Sequence, residues 1–229
     1  MKKNRLYNTT ARRLLGDDSQ WAPPMVAAGR ERKRRLISPM DFYSANGSVV
    51  LQHNVATGLL PANFKECDVM FCDSPWILGQ KIFNERAGVA VTHSEVSEGV
   101  AQIINSYRDT LIILSLGPHM LKKLPEPVGL AHVFDDIEWA QLDSMNLAWW
   151  NGEYTGPTDT LESIHQYLGE TYSTMGDFFC GYGYGIFNFL AAGGQRFVAS
   201  DYDSKCVGMV AKRLQELPKI IGIIKKYAE

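Results

Sequence analysis

The feature that most constrains the fold is a glycine-rich segment that lies between two apolar runs. Thr174 to Cys180 predicts a strand, glycine alternates with tyrosine over residues 181–185, and Ile186 to Ala192 has the composition of a helix. Another apolar run, Arg196 to Ser200, predicts a second strand directly afterwards. A strand, a glycine turn, a helix and a second strand form the unit from which parallel sheets are built. The chain is therefore predicted to contain a parallel sheet covered by helices.

The pattern continues towards both ends of the chain. Short apolar runs predict further strands at 48–52, 68–72, 110–116, 131–134, 137–140 and 146–150. Helical stretches are predicted at 94–107, with Ser94 as N-cap, and at 118–124, 160–168 and 204–217. Strands that alternate with helices predict an α/β fold with a doubly wound, mostly parallel sheet in a single domain.

Composition agrees with one large intracellular domain. The 229 residues are 45% hydrophobic, which is enough for a substantial core. No run of eighteen apolar residues is present, and no apolar segment follows Met1 to Arg5, so we expect neither a membrane span nor a secretory signal. The four cysteines form neither a CxxC pair nor a dense disulfide framework. We expect reduced thiols and a cytoplasmic location, or the host cytoplasm for a virus-encoded protein.

Charge is distributed unevenly along the chain. Residues 1–35 hold ten Lys and Arg against three acidic residues, a balance of +7 that leaves −9 for the remainder. We interpret residues 1–45 as a basic N-terminal extension and 46–229 as the folded domain. A basic arm on an acidic body predicts a polyanionic partner, although a solvated tail is the alternative. The candidate nucleic-acid contacts are Arg30, Arg32, Lys33, Arg34 and Arg35.

A second motif, Asp73-Ser74-Pro75-Trp76, follows the apolar run 69–72. A carboxylate and a backbone carbonyl can together accept both hydrogen bonds of an exocyclic NH2 group. The indole offers a stacking face, a contact worth roughly 1–3 kcal/mol per base in base-binding proteins. The motif therefore suits a flat ring that carries an amine. The alternative is a surface turn whose aromatic side chain packs into the core.

The glycine segment is the candidate ligand loop. It lies between a strand and a helix, where doubly wound sheets bind nucleotide-like ligands, and glycine permits close backbone approach. Asp201 ends the next predicted strand, eighteen residues after Gly183, where a carboxylate can accept bonds from both ribose hydroxyls of an adenosine group. A dinucleotide such as NAD or FAD is the alternative, but it requires a GxGxxG pattern, whereas this loop is GxGxG.

Together the two motifs resemble those of the S-adenosylmethionine-dependent amino-methyltransferases that modify adenine N6 or cytosine N4 in nucleic acid. That family carries a D/N/S-P-P-Y/F/W motif at the target amine and an F-x-G-x-G loop at the cofactor. Here they stand as residues 73–76 and 179–183. The catalytic motif precedes the cofactor loop, which is the permuted order of the family's beta class. The resemblance covers roughly residues 47 to 217.

The resemblance implies a Rossmann-like methyltransferase sheet, S-adenosyl-L-methionine as cofactor and no metal. It implies methyl transfer to a base amine, with adenine N6 in DNA favoured because the motif opens with aspartate. The implied catalytic residues are Asp73, Ser74, Pro75 and Trp76. The implied cofactor-binding residues are Asn54, Asp177, Phe179, Cys180, Gly181, Gly183 and Asp201. The implied partner is DNA, with RNA less favoured, and a homodimer stays open.

Four residues depart from the family pattern. Ser74 replaces the first proline, Asn54 replaces an aspartate near the cofactor adenine, and Tyr182 and Tyr184 replace small residues in the loop. Two alternatives follow: an amino-methyltransferase of RNA or a small nucleobase compound, or a catalytically weak relative that binds nucleic acid or a protein. A separate question is whether Trp149-Trp150 stacks on bases or belongs to the core and its rim.

Overall fold

The computed structural model describes residues 42–43, 46–75, 84–85, 87–134 and 145–228. Their centre is an eight-stranded sheet with the spatial order β1-β2-β8-β7-β3-β4-β6-β5. The strands are β1 Phe42–Tyr43, β2 Val49–Gln52, β3 Val69–Asp73, β4 Leu111–Leu116, β5 Gly129–Phe134, β6 Met145–Trp150, β7 Thr174–Asp177 and β8 Arg196–Asp201.

Most strands of this sheet point the same way. The neighbours β2, β8, β7, β3 and β4 are all parallel. β6 is antiparallel to both β4 and β5, so β5 shares the direction of the parallel set. β1 pairs antiparallel with β2, which places Phe42 and Tyr43 of the predicted N-terminal extension on the sheet. The predicted doubly wound, mostly parallel α/β fold is confirmed.

Helices cover both faces of the sheet. They are α1 His93–Ser106, α2 Pro118–Leu121, α3 Leu161–Thr171, α4 Tyr184–Ala191, α5 Ser204–Gln215 and α6 Leu217–Ala228. Val69 and Phe71 pack with the cluster that holds α3 to α6, while Met70 and Cys72 pack with the cluster that holds α1. This alternation follows from the period of two in a strand and creates two cores. Within the described ranges, no helix is long and apolar enough to cross a membrane.

Two helix predictions need correction. Ser94 is not the N-cap of α1, because the cap is Thr92, whose hydroxyl accepts from the Glu95 N–H at 3.2 Å. Glu95 accepts in return from the Thr92 N–H at 2.7 Å, which completes a capping box. Helix α6 was not predicted because Pro218 interrupts the pattern, yet proline is tolerated in the first turn of a helix.

The order in which successive strands are added to the sheet reverses between the parallel strands β3 and β7. From β3 it passes through α1 to β4 on one side, and from β7 through α4 to β8 on the other. The β3–β7 ladder holds only the pairs Val69↔Met175 and Met70↔Gly176. By contrast, β3 stays paired with β4 as far as Asp73. A crevice therefore opens at the carboxyl edge, at the switch point where ligands bind in doubly wound sheets.

Candidate active site at the carboxyl edge

Asp73 is the last residue of β3, and its side chain is exposed at the crevice. The neighbouring residue on β4, Ser115, is fully buried and donates from Oγ to Asp73 Oδ1 at 2.9 Å. This bond orients the Asp73 carboxylate, a group that can accept several hydrogen bonds at once. Sequence reasoning missed Ser115, although its place at the end of the most apolar strand was a usable signal.

Ser74 is tied to the same neighbour by two hydrogen bonds. Its N–H donates to the Ser115 carbonyl at 2.9 Å, and its hydroxyl donates to that carbonyl at 3.0 Å. The residue is only 2% exposed, so the hydroxyl is committed to the backbone of β4. No group in the described part of the chain donates to the Ser74 carbonyl. The carbonyl is therefore the second candidate acceptor of the motif, and Pro75 follows it half-buried.

Asp177 ends β7 on the other side of the crevice and is buried. Its Oδ1 accepts from the Phe179 N–H at 3.0 Å. Burial raises the pKa of Asp177 to about 7, and the Asp201 and Asp73 carboxylates push the pKa in the same direction. Three carboxylates from three strands thus meet at this edge.

Asp201 anchors the glycine loop to β8. Its Oδ2 accepts from the Gly181 N–H at 2.9 Å, and its Oδ1 accepts from the Asp203 N–H at 2.8 Å. Gly183 has φ +84°, and a Cβ there would lie 2.7 Å from the Phe187 ring, so glycine is required. Among the described residues, a Cβ on Gly181 would meet one atom, the Phe179 carbonyl oxygen at 4.0 Å. Within this part of the chain, the loop surface at Gly181 is therefore not covered by other side chains.

The two loop tyrosines are held by helices that sequence reasoning did not connect with the site. The Tyr184 hydroxyl donates to Glu162 on α3 at 2.6 Å. The Tyr182 carbonyl accepts a hydrogen bond from Arg213 on α5, a side chain that is only 9% exposed. These contacts show how a loop with large side chains is accommodated, and they depend on helix packing that no local motif reports.

The remaining cofactor candidates lie around the loop and the end of β2. Asn54 caps the 3-10 turn Val55–Thr57, and its Oδ1 accepts from the Ala56 N–H at 3.0 Å. Because the amide oxygen serves the cap, Nδ2 is the group suited to donate to an adenine edge. Cys180 is buried and donates from its N–H to the Ser200 carbonyl at 3.0 Å. Phe179 is half-buried, with its ring 5.1 Å from that of Phe178.

Several predicted residues do not lie at this edge or lie outside the described residues. Trp149 and Trp150 end β6, which runs opposite to β4, so they lie at the amino edge, away from the crevice. Trp150 is 2% exposed and donates from Nε1 to the Pro125 carbonyl at 2.9 Å, which favours the core interpretation. Outside the described residues lie Trp76, the predicted strand 137–140, and Arg30, Arg32, Lys33, Arg34 and Arg35.

The fold and site define a doubly wound α/β protein with a carboxylate-lined crevice at its switch point. No protein-family model and no curated protein sequence matches the chain. Its sequence and that of M1.HpyAVI are 10% identical, and that crystal structure has a TM-score of 0.44 over 72% of this chain and 97% of the other. The complex of M1.HpyAVI with SAM has the same identity and coverage and a TM-score of 0.40.

A third solved structure is a putative DNA modification methylase from Thermus thermophilus in complex with S-adenosyl-L-methionine. It is 11% identical, with a TM-score of 0.43 over 72% of this chain and 92% of the other. Likenesses at this level leave the function to be argued from the residues of this chain.

Proposed function

We propose that the chain transfers a methyl group from S-adenosyl-L-methionine to an exocyclic amine of a nucleic-acid base. One observation carries the proposal: the Asp73 motif and the glycine loop meet across the crevice between β3 and β7. Two motifs that lie about a hundred residues apart in sequence thus share the edge where such sheets bind ligands.

The residues at the crevice fit this cofactor. Asp201 is fixed beside the glycine loop by two N–H groups, and a carboxylate at this place suits the hydroxyls of a ribose. Asp73 supplies negative charge for a cationic ligand, and Asp177 adds to it in its ionised form, with a pKa raised to about 7 by burial. When bound, S-adenosyl-L-methionine would supply a methyl group on a positively charged sulfur. The same carboxylates disfavour a dinucleotide, because its pyrophosphate would face like charges.

The target amine is assigned to the motif on β3. Asp73, oriented by Ser115, accepts a hydrogen bond from one N–H of the target amine. The Ser74 carbonyl accepts a hydrogen bond from the other N–H. These bonds favour a tetrahedral nitrogen over the planar one that is conjugated with the ring, so the nitrogen becomes a better nucleophile. Trp76 is assigned to stacking on the base from its place in the motif. Rate enhancement comes from orientation and from acceptors placed where positive charge develops.

The finer assignment is adenine N6 in DNA by a beta-class enzyme. It is supported by the aspartate that opens the motif, by the order of the two motifs in the chain, and by the basic residues 1–35.

The basic arm, residues 1–35, would contact phosphates, so its removal should weaken nucleic-acid affinity and flatten the salt dependence of that affinity. If deletion of residues 1–35 left the salt dependence of nucleic-acid affinity unchanged, the phosphate-binding role of the arm would be contradicted. The proposed methyl transfer would not be affected by that result.

The decisive experiment incubates the protein with labelled S-adenosyl-L-methionine and DNA, RNA or nucleosides. Asp73→Ala should lower methyl transfer by roughly 10²–10³-fold or more, since one well-placed polar stabiliser is lost. Asp68→Ala is the matched control, because Asp68 directly precedes the same strand at its amino end, where its Oδ2 accepts from the Thr174 N–H at 2.8 Å. Wild-type transfer by Asp73→Ala would mean that the active site lies elsewhere.

Cofactor binding is measured separately by calorimetry. The wild-type protein should bind S-adenosyl-L-methionine, and Asp201→Ala should weaken the binding because it removes both the hydroxyl acceptor and the anchor of Gly181. Binding of nucleic acid without any binding of the cofactor would instead support the interpretation as a catalytically weak relative.

A further inference from the structure

Gly99 lies in the middle of α1 and is buried. Glycine destabilises a helix interior relative to alanine, so a glycine at this place calls for a packing reason. Among the described residues, a Cβ on Gly99 would overlap the Val55 carbonyl oxygen and lie 2.9 Å from the Ala56 Cα. Both are backbone atoms, which cannot rotate away. The absence of a side chain therefore lets α1 lie directly against the backbone of the turn that follows β2.

The turn that α1 contacts, residues 54–58, carries the proposed adenine contact. Asn54 begins it as the N-cap, and His53 directly before it donates from its N–H to the Asp201 carbonyl at 2.9 Å. Asp201 is the carboxylate assigned to the ribose. The turn therefore holds Asn54 beside the ribose position, where the adenine of the same ligand would lie.

A second residue of α1 covers the other end of this turn. Gly58 ends the turn with φ +71°, and a Cβ there would overlap the side-chain amide of Gln102 and lie 3.1 Å from its Cβ. The Gly58 N–H donates to the Val55 carbonyl at 3.0 Å, which is the same carbonyl that faces Gly99. Gly99 and Gln102 are three positions apart and so share one side of the helix. α1 thus contacts the turn at two points.

If the contact at Gly99 were overfilled, the turn would move and the helix would not. Val100 and Ile103 of α1 are fully buried in the core on this face of the sheet, whereas the short 3-10 segment buries one side chain, Val55. A real Cβ essentially never lies within 3.0 Å of a backbone atom in this way, so alanine must push the turn outwards. Asn54 would move with it, and a binding group has to be held within about 0.5 Å of its productive position.

We propose that Gly99 is a positioning residue for the cofactor: its missing side chain lets α1 hold the 54–58 turn at the depth at which Asn54 Nδ2 meets the adenine edge. The inference rests on the proposed function, because it concerns an adenosyl ligand in that site. Gly99 acts through Asn54 and not by contact with the ligand. Since α1 follows the catalytic motif in the chain, one helix connects the strand of the target amine with the adenine side of the crevice.

The first test needs no cofactor and follows amide hydrogen exchange by NMR. Gly99→Ala should speed exchange at the Gly58 N–H and at the Ala56 N–H, which donates to Asn54 Oδ1, relative to the amides of the core strand β4. Gln102→Ala adds no bulk and should speed exchange at Gly58 to a smaller extent. Unchanged relative exchange in Gly99→Ala, or in Gln102→Ala where Gly99→Ala does not fold, would overturn the proposal.

The second test is a double-mutant cycle on the dissociation constant of S-adenosyl-L-methionine, measured by calorimetry at a temperature where every variant is folded. Asn54→Ala should raise the constant roughly 2–10-fold, the equivalent of one net hydrogen bond. Gly99→Ala should raise it by a similar factor, and the double variant by no more than the larger single effect, because both changes remove the same contact. Gln102→Ala replaces Gly99→Ala in the cycle if the latter does not fold.

A purely structural role for Gly99 predicts a loss of stability with no change in affinity. An unchanged dissociation constant in either single variant would therefore overturn the proposal. Effects that multiply in the double variant would also overturn it, because Gly99 would then act by a route other than Asn54.

Gly169→Ala is the matched control. Gly169 is a buried glycine of α3, and a Cβ there would overlap the Phe189 carbonyl oxygen of α4. The substitution thus also crowds a backbone carbonyl, but α3 ends shortly before β7 begins, so the contact lies near the amino edge. Gly169→Ala should lower the melting temperature and leave the dissociation constant in place. A rise equal to that in Gly99→Ala would show that affinity follows general stability, and would overturn the proposal.

The same measurements separate this inference from the proposed function. If the wild-type protein binds S-adenosyl-L-methionine and folded Gly99→Ala binds it equally well, the inference fails and the proposed function stands. If the wild-type protein does not bind S-adenosyl-L-methionine, the proposed function and the inference fail together.

Discussion

Ser74 offers a test that separates the architecture of the motif from its chemistry. The Ser115 carbonyl accepts two hydrogen bonds, and both come from Ser74. Ser74→Ala removes the hydroxyl bond and keeps the N–H bond, so the carbonyl stays paired. Ser74→Pro removes both donors, because proline has no N–H, and leaves a carbonyl of a fully buried residue without these partners.

The magnitudes follow from these contacts. One hydrogen bond contributes about 1 kcal/mol net, so Ser74→Ala should lower the free energy of unfolding by that amount. A buried acceptor left unsatisfied costs about 1–3 kcal/mol, which adds to the first loss in Ser74→Pro. For a chain of this size, 1 kcal/mol corresponds to about 2–4 °C in melting temperature. We expect a drop of about 2–4 °C for the alanine variant and roughly 4–16 °C for the proline variant.

Methyl transfer is then measured below the melting temperature of each variant. Both variants keep the backbone carbonyl of residue 74, so both should retain most of the activity if that carbonyl accepts the target amine. Ser97→Ala is a matched control, because its buried hydroxyl donates to the His93 carbonyl at 2.7 Å within α1. If Ser74→Ala folded but transferred methyl groups two orders of magnitude more slowly, the assignment of the Ser74 carbonyl as the acceptor of the target amine would be refuted. If Ser74→Pro were as stable as wild type, the claim that the Ser115 carbonyl needs the two hydrogen bonds from Ser74 would be refuted.

Two further predictions concern the glycine loop and Asp177. Gly183→Ala should destabilise the fold by roughly 1–3 kcal/mol, because alanine at φ +84° is strained and its Cβ would clash with Phe187. Chemical denaturation should show no such loss for Gly208→Ala, where a Cβ meets no atom of the described residues within 4 Å. Asp177 has a raised pKa, so its contribution to stability is fully present below pH 4 and is lost as pH rises through about 7. The stability of Asp177→Asn relative to wild type should therefore rise by roughly 1–3 kcal/mol between pH 5 and pH 8, and a constant difference would contradict the raised pKa.

The sequence was sufficient to predict which aspartates would meet. Asp73 and Asp201 each end a strand, and the carboxyl ends of parallel strands share one edge of a sheet. A short apolar run and the polar residue that ends it are local signals. The position of both residues could therefore be derived without knowing the order of the strands.

The partners of these aspartates could not be derived in the same way. The bond from Ser115 to Asp73 requires the register between β3 and β4, and no local pattern specifies a register. The predicted strand 174–180 in fact ends at Asp177, because Phe178 turns to donate to the Cys72 sulfur. The contact between Arg213 and Tyr182 requires the packing of α5 against the loop. Long-range contacts of this kind depend on the tertiary structure and not on local sequence.

The tryptophan pair shows how strand direction decides between two interpretations of the same residues. β6 runs opposite to β4, so its last residues lie beside Ile112 and Ile113, near the start of that strand. Trp149 packs on Gly129 and makes an edge contact with Tyr154, with ring centroids 5.6 Å apart. A side chain used in this way at the amino edge cannot reach a base held in the crevice at the carboxyl edge.

Substitution of these tryptophans should therefore affect stability and not recognition. Trp150→Ala should cost about 3–5 kcal/mol, since a buried ring and its bond to the Pro125 carbonyl are lost. Trp149→Ala should cost less, because the ring is only half-buried. Nucleic-acid affinity of Trp149→Ala, measured at a temperature where the variant is fully folded, should equal that of wild type. A loss of about 1 kcal/mol or more in binding, which is the lower range for a stacked base, would place a nucleic-acid contact at the amino edge.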